Sequence, residues 1–353
     1  MSSSVTNHDY MKMIRSIVVP EILSDEEKGK QYLSLIDYLK LNTPVKLYRF
    51  RSCKERTFHE FDKNILGFAP AFEMNDDFDG LLYFDKELIK AQLYDTVTPE
   101  NIIKILGLYS QGHIPPELKK YLPEHIIRQS IEMFSRAKPD ELRSFIDQFI
   151  AFITVSCDQR AAFLSQLTQN QKIACLSRDV NSAAMWGYYA NNSTGFALSY
   201  DLQGISFAEH CLVPVIYGEK RLEANEFATW LLQQQILQCY LIQHGALALY
   251  PQLQHAIPCP DLFMSSKALI HKSSNWRHEK EWRLIYYGKD GQSQKYPYVI
   301  KKPTAIYLGR HISAINEKIL CQIAAEKDIP VYKMTVRENK PTYKLVPQRI
   351  DLL

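Results

Sequence analysis

The sequence predicts an α+β domain built on a mixed β-sheet that carries a helical insertion. Strand-like runs stand on both sides of a long block, residues 85–150, whose apolar residues recur every three or four positions instead. No Gly- or Ser-rich linker and no internal repeat divides the 353 residues, so one sheet-based domain is expected rather than an array. Hydrophobic residues make up 46% and charged residues 23%, a balance that fits a folded globule and argues against long disordered regions.

Residues 1–44 are expected to form an N-terminal helical extension. A polar start leads into SDEEKGKQYLSLIDYLKL, where Ser24 is placed to cap an acidic first turn. The α+β domain then runs from 45 to 353. VKLYRF (45–50) alternates like a strand, and ILGFAPAF (65–72) reads as a second one ending in the turn-forming NDDFDG. Within 85–150, prolines precede several of the amphipathic runs, as they do at helix starts. AFITVSC (151–157) reads as a buried strand. SAAMWGYYANNSTGFALSYD gives a short helix, an Asn-rich turn and a strand, and CLVPVIYG adds a strand with Pro214 at an edge or irregular start. Residues 222–256 and DLFMSSKALIHK are helical. Beyond Lys301 follow the strand TAIYLG, the amphipathic helix SAINEKILCQIAAEKD, and the strands PVYKMTV and TYKLVPQRI.

The net charge of +3 gives no global attraction to nucleic acid or membrane. Seven cysteines without a CxxC pair argue against a disulfide scaffold or a zinc ribbon and for small core residues, such as Cys157 and Cys175, in a reducing compartment. No apolar run reaches the length of a membrane span or an export signal, so a soluble, cytoplasmic protein is expected.

SSNWRHEKEWRLIYYG (273–288) is the most unusual segment. Read as a strand, it points Glu279 and Glu281 to one face and Lys280 and Trp282 to the other. Two like charges on one face fit a surface ladder neutralised by Arg277, Lys280 and Arg283, or a paired-carboxylate site.

Five separated segments together resemble a widespread prokaryotic family labelled as a domain of unknown function. They are LYRFRS (47–52), FEMNDDFDG (72–80), ACLSRDVNSAAMWGYYANNSTGFALSYD (174–201), WRHEKEWRLI (276–285) and AIYLGRHIS (305–313). Met185 and Trp186, with Glu281, Trp282 and Arg283, are the most specific parts. Asp77 departs from the pattern, standing where that family's loop usually has proline, which should loosen the turn or add charge.

An early strand arginine, a polar loop and a late strand glutamate also resemble the layout of ADP-ribosyltransferase-like proteins. That resemblance implies an NAD-consuming enzyme, with a nucleic acid, a protein or water as acceptor and a role as a defence or toxin effector. It assigns Glu281 as the catalytic glutamate, with Glu279 orienting the acceptor. Arg51 and Ser52 would contact the pyrophosphate or ribose of NAD, with Asn75 and Trp186 beside them, and Tyr48, Tyr188 and Tyr189 would sandwich the nicotinamide. Arg51, Asn75, Asp79, Trp186 and Glu281 should then line one cleft. Residue by residue, ordinary structure offers an alternative: an ion pair of Arg51 with Asp79, and core packing for Met185, Trp186 and Tyr189.

Two other classes stay open. A non-catalytic nucleotide or nucleic-acid module would use a basic rim of Arg277, His278, Lys280, Arg283, Lys301 and Lys302, with Trp276 and Trp282 for stacking. A Mg-dependent nuclease would gather Asp76, Asp77, Asp79 and Glu281 around the ion. Neither HExxH, GxxxxGK[ST] nor GxGxxG occurs, so no metal-site or phosphate-loop motif is assigned.

Overall fold

The computed structural model describes the chain apart from residues 1–6, 97, 114–123, 137, 139, 145, 149–150, 153–154, 156–170, 206–209, 244, 287–295, 340 and 352–353. The class is as expected: mixed α+β around a mixed sheet. The early strands are β1 (Leu47–Arg51), β2 (Ile65–Gly67) and β3 (Ala69–Pro70); β4 (Lys172–Ser177), β5 (Phe196–Tyr200), β6 (His210–Pro214) and β7 (Ile216–Gly218) follow the helical block. Next come β8 (His271–Ser273), β9 (Glu281–Tyr286), β10 (Tyr298–Ile300), β11 (Ala305–Leu308), β12 (Val331–Val336) and β13 (Leu345–Ile350).

The main sheet runs β13-β12-β11-β5-β1-β4-β9-β6, with β3 also paired to β4. Its pairs are antiparallel except β11 with β12. Pro214 closes the edge strand β6, where a residue without an N–H costs the ladder least.

The centre of the sheet forks. β1 pairs with β4 at one register position, Tyr48 with Ser177, and further along β4 the partner is β3, at Ala69 with Ile173. Register also brings residues far apart in sequence into one row, since Ser177 is opposite both Tyr48 and Glu281. The far side of β1 is held by a backbone seam. A Cβ on Gly195 would lie 2.1 Å from the Arg51 carbonyl oxygen, so only glycine lets β5 close on the end of β1.

Ser24 caps the helix Asp25–Asn42 in a full capping box with Glu27, as its sequence predicts. The polar start is a helix as well, Asn7–Ser16, which inserts Tyr10 and Ile14 into the main core beside Leu39, Leu212 and Leu284. Tyr10 Oη donates to the Pro214 carbonyl at 3.1 Å. Residues 85–150 supply the helices Lys86–Thr96, Pro99–Ser110 and Glu124–Ser135 between β3 and β4.

Two expectations are corrected. Ala151, Phe152 and Val155 are helical and exposed, not parts of the buried strand expected of AFITVSC; residues 153, 154 and 156 and Cys157 lie outside the described residues. A short apolar run carries no periodicity of its own and so does not by itself tell strand from helix. Second, the strand begins only at Glu281. Ser274–Glu279 is a 3-10 turn capped by Ser273, and Lys280 ends it in the left-handed conformation, φ 45°. Glu279 and Glu281 are therefore not strand neighbours on one pleated face. What brings them together is a reversal of the backbone.

Candidate active site

The fork between β1 and β4 opens into a cavity of about 490 Å³. β1 contributes Tyr48 to Arg51, continuing to Ser52. β4 contributes Cys175 and Ser177, and the chain after β3 contributes Met74 and Asn75. Met185 and Tyr189 come from the short helix Ala183–Tyr188 and its cap, Lys272 from β8, and Glu279 and Glu281 from the turn and the first residue of β9.

Both glutamates are buried, Glu279 at 3% and Glu281 at 5% exposure, which removes the surface-ladder alternative. They do different things. Glu281 accepts from Arg283, Nε to Oε1 at 2.9 Å and Nη2 to Oε2 at 3.2 Å, and its Oε2 also accepts from Lys272 Nζ at 3.3 Å. Arg283 has no exposed surface. Its Nη1 donates to the Leu269 carbonyl at 2.6 Å, and its Nη2 lies 2.7 Å from Asp79 Oδ1. Burial by itself would raise the Glu281 carboxyl, but the positive charges of Arg283 and Lys272 outweigh it and hold its pKa at about 2.

Glu279 accepts from Lys272 Nζ at 2.7 Å and from the Tyr189 hydroxyl, which in turn accepts from Asn75 Nδ2 at 2.7 Å. Burial and the Glu281 charge push the Glu279 carboxyl above its ordinary value against the pull of Lys272. Burial, followed by the bond to Glu279, raises the Tyr189 phenol as well, so it remains a donor. The turn is pinned from behind: Ser177 Oγ donates to the Glu279 carbonyl at 2.6 Å, and the Glu281 N–H donates to Tyr217 Oη at 2.8 Å. Cys175 lines the same cavity, but burial drives its thiol far up, away from nucleophilic use.

Of the expected cleft residues, Arg51, Asn75 and Glu281 come together, as do Ser52, Tyr48, Tyr189 and Glu279. Trp186 is not among them. Fully buried, it donates from Nε1 to the Val180 carbonyl at 2.7 Å and packs edge-on against Phe50 at 5.1 Å, which is a core role. Asp79 stands behind the cavity with Arg283, and the partner of Arg51 is Glu60, with Nε to Oε2 at 3.5 Å, rather than Asp79. Tyr188 is 71% exposed outside the lining, beside His278. Arg283 and Trp282 are buried, so they leave the expected basic and stacking rim.

The carboxylate grouping expected for Mg²⁺ is also rearranged. Between Asp79 and Glu281 sit two cations, Arg283 and Lys272, while Asp76 turns Oδ1 to the Phe78 N–H at 3.0 Å and Asp77 is exposed. Among the described residues no three His, Cys, Asp or Glu side chains converge as metal ligands. The loop around Asp77 closes without proline, through Asp79 N–H to the Asp76 carbonyl at 3.0 Å and a left-handed Gly80. Also among the described residues, no helix is long and apolar enough to cross a membrane.

Sequence reasoning did not single out Lys272, Tyr217, Glu60 or Arg49 for the site. Arg49 was open to discovery, because LYRFR places two arginines at strand period. Lys272 was not, since nothing local marks the lysine of HKSS as buried.

Residues 185–284 match a family model described as a protein of unknown function (DUF2971), which supports the resemblance to a domain-of-unknown-function family over that stretch. The match begins at Met185 and runs through Lys272, Glu279, Glu281 and Arg283; β1 lies outside it. No curated protein and no solved structure matches the chain.

Proposed function

We propose that the cavity binds NAD and that the protein transfers or hydrolyses its ADP-ribose group. One observation carries this reading: a buried carboxylate held by a tyrosine and a lysine, Glu279, shares one cavity with the strand arginines of β1, at a fork in the centre of the sheet. An early-strand arginine on one wall and a carboxylate in the turn that leads into a late strand on the other come close to the arginine, loop and glutamate layout of ADP-ribosyltransferase-like proteins. The volume lies in the range of small-molecule and cofactor sites.

In this reaction the bond between nicotinamide and the ribose C1′ breaks, and its electron pair leaves with nicotinamide. Positive charge develops on the ribose, and an oxygen of water or of an acceptor bonds to C1′ and loses its proton. A fixed negative charge facing that carbon stabilises the transition state more than the ground state. Glu279 suits that role, with Tyr189 and Lys272 fixing its orientation, Asn75 holding Tyr189, and Tyr48 offering an aromatic wall. Glu281 takes the supporting part, because it accepts three bonds from the two buried cations Arg283 and Lys272, whereas Glu279 accepts one each from Tyr189 and Lys272. Arg51 and Ser52 line the wall where the phosphates would lie.

The test is incubation of the purified chain with NAD and measurement of free nicotinamide. Release that disappears in Glu279→Gln supports the reading. Absence of release under all conditions, together with saturable binding of nucleic acid through the Tyr188, His278 and Trp276 cluster beside exposed Arg277, favours a binding module instead.

A further inference from the structure

Arg49 lines the same cavity, yet its Nε and Nη1 are shielded from solvent and meet no hydrogen-bond partner. Buried polar groups in folded proteins are nearly always satisfied, and a guanidinium is among the costliest to leave unpaired. Its neighbours deepen the mismatch. Glu60 is shared between Arg51, at 3.5 Å, and Arg56, at 2.9 Å, and among the described residues no carboxylate lies within ion-pair distance of Arg49. Burial, and then the charge of Arg51, pushes Arg49 down to about 9, well below the ordinary value for arginine.

We infer that Arg49 and Arg51 form a subsite for the phosphoryl groups of a small nucleotide, with Arg49 as the principal ligand. A phosphate supplies planar pairs of acceptor oxygens that match the guanidinium fork, and a multiply charged anion offsets Arg49, Arg51, Arg56 and Lys54 together, as Glu60 alone does not. The position inside the fork, walled by β1 and β4, suits a compact ligand better than a continuous strand of nucleic acid. The inference rests on the cavity being the substrate site, as proposed above, but it does not depend on which bond breaks there.

The experiment is calorimetric titration of the full chain with inorganic pyrophosphate and with ADP at fixed ionic strength, with succinate as a dicarboxylate control and a short single-stranded oligonucleotide as competitor. Saturable binding of the phosphates, weakened about tenfold or more in Arg49→Met, is expected. The ligand-free melting temperature of that variant should hold or rise, since an unpaired buried charge is removed. A lower melting temperature with unchanged phosphate binding would make Arg49 structural and overturn the subsite. If Arg49→Met does not fold, Arg49→Lys keeps the charge and loses the fork, and undiminished affinity in it also overturns the assignment. Stronger Arg49-dependent binding of succinate or of the oligonucleotide would do the same. Phosphate binding without nicotinamide release leaves the subsite standing and removes ribosyl transfer, whereas release that persists unchanged in Arg49→Met removes the subsite and keeps the transfer.

Discussion

Glu279 and Glu281 are two residues apart, equally buried, and bonded to the same lysine, yet they belong to different regions of the molecule. Glu281 sits in a closed ionic cluster in which Arg283 reaches both it and Asp79. Glu279 sits at the open edge of that cluster, with Tyr189, itself held by Asn75, as its further contact toward the cavity. Identical side chains thus receive opposite shifts: at Glu281 the cations Arg283 and Lys272 overcome burial and hold it down at about 2, while at Glu279 burial and the Glu281 charge prevail over Lys272 and push it upward. What separates an anchoring carboxylate from an available one is the number of partners already satisfied rather than depth.

The comparison is broken most directly at its closed side. Glu281→Gln should leave Arg283 buried with one carboxylate fewer, at a cost of about 3 to 5 kcal/mol in urea unfolding, with unfolding during expression as the extreme outcome. A loss below about 1 kcal/mol would place Glu281 with the surface pairs and undo the contrast. Glu279→Gln should reverse the pattern: nicotinamide release falls by about a hundredfold or more while stability changes little. A variant that loses stability without losing turnover would move Glu279 into the anchoring cluster.

Acid titration sharpens the same difference. The depressed Glu281 contributes stability that is present above its ordinary value of 4.5 and is lost as pH falls toward 2. The raised Glu279 has the opposite sign. As pH rises above 4.5 the unfolded chain gives up this proton first, so stability declines until the folded group has ionised too. Urea midpoints across the acid range should therefore show a smaller acid-side loss in Glu281→Gln and a smaller decline above 4.5 in Glu279→Gln. The least disruptive change is Tyr189→Phe, which removes a single donor from Glu279 and should lower turnover by about tenfold with the fold intact. No change in turnover would mean that Lys272 alone orients the carboxylate.

The strands around the site were legible because alternation and apolar runs are local signals, and LYRFR, GFALSYD and TAIYLG each hold the strand read from them. The helices Lys86–Thr96 and Pro99–Ser110 were legible for the same reason, from their three-or-four-residue apolar period. The turn at Glu279 was not. Lysine carries no preference for the left-handed region, so Lys280 gives no warning that the chain reverses there. Nor could the fates of the two glutamates be told apart, because the deciding partners, Asp79 and Lys272, arrive from a separate loop and a separate strand. Trp186 shows the converse: a helix-spaced aromatic beside a site motif belongs to the core behind the cavity.

The central position of β1 carries a kinetic consequence. Its partners β5 and β4 lie more than about a hundred residues downstream, beyond the helical block, so the loop that must close before Arg49 and Arg51 gain a wall is long and entropically slow. Helices within 85–150 close local contacts and need not wait for it. In refolding, helical signal should therefore return ahead of pyrophosphate binding, because the two walls of the cavity come from opposite ends of that delay.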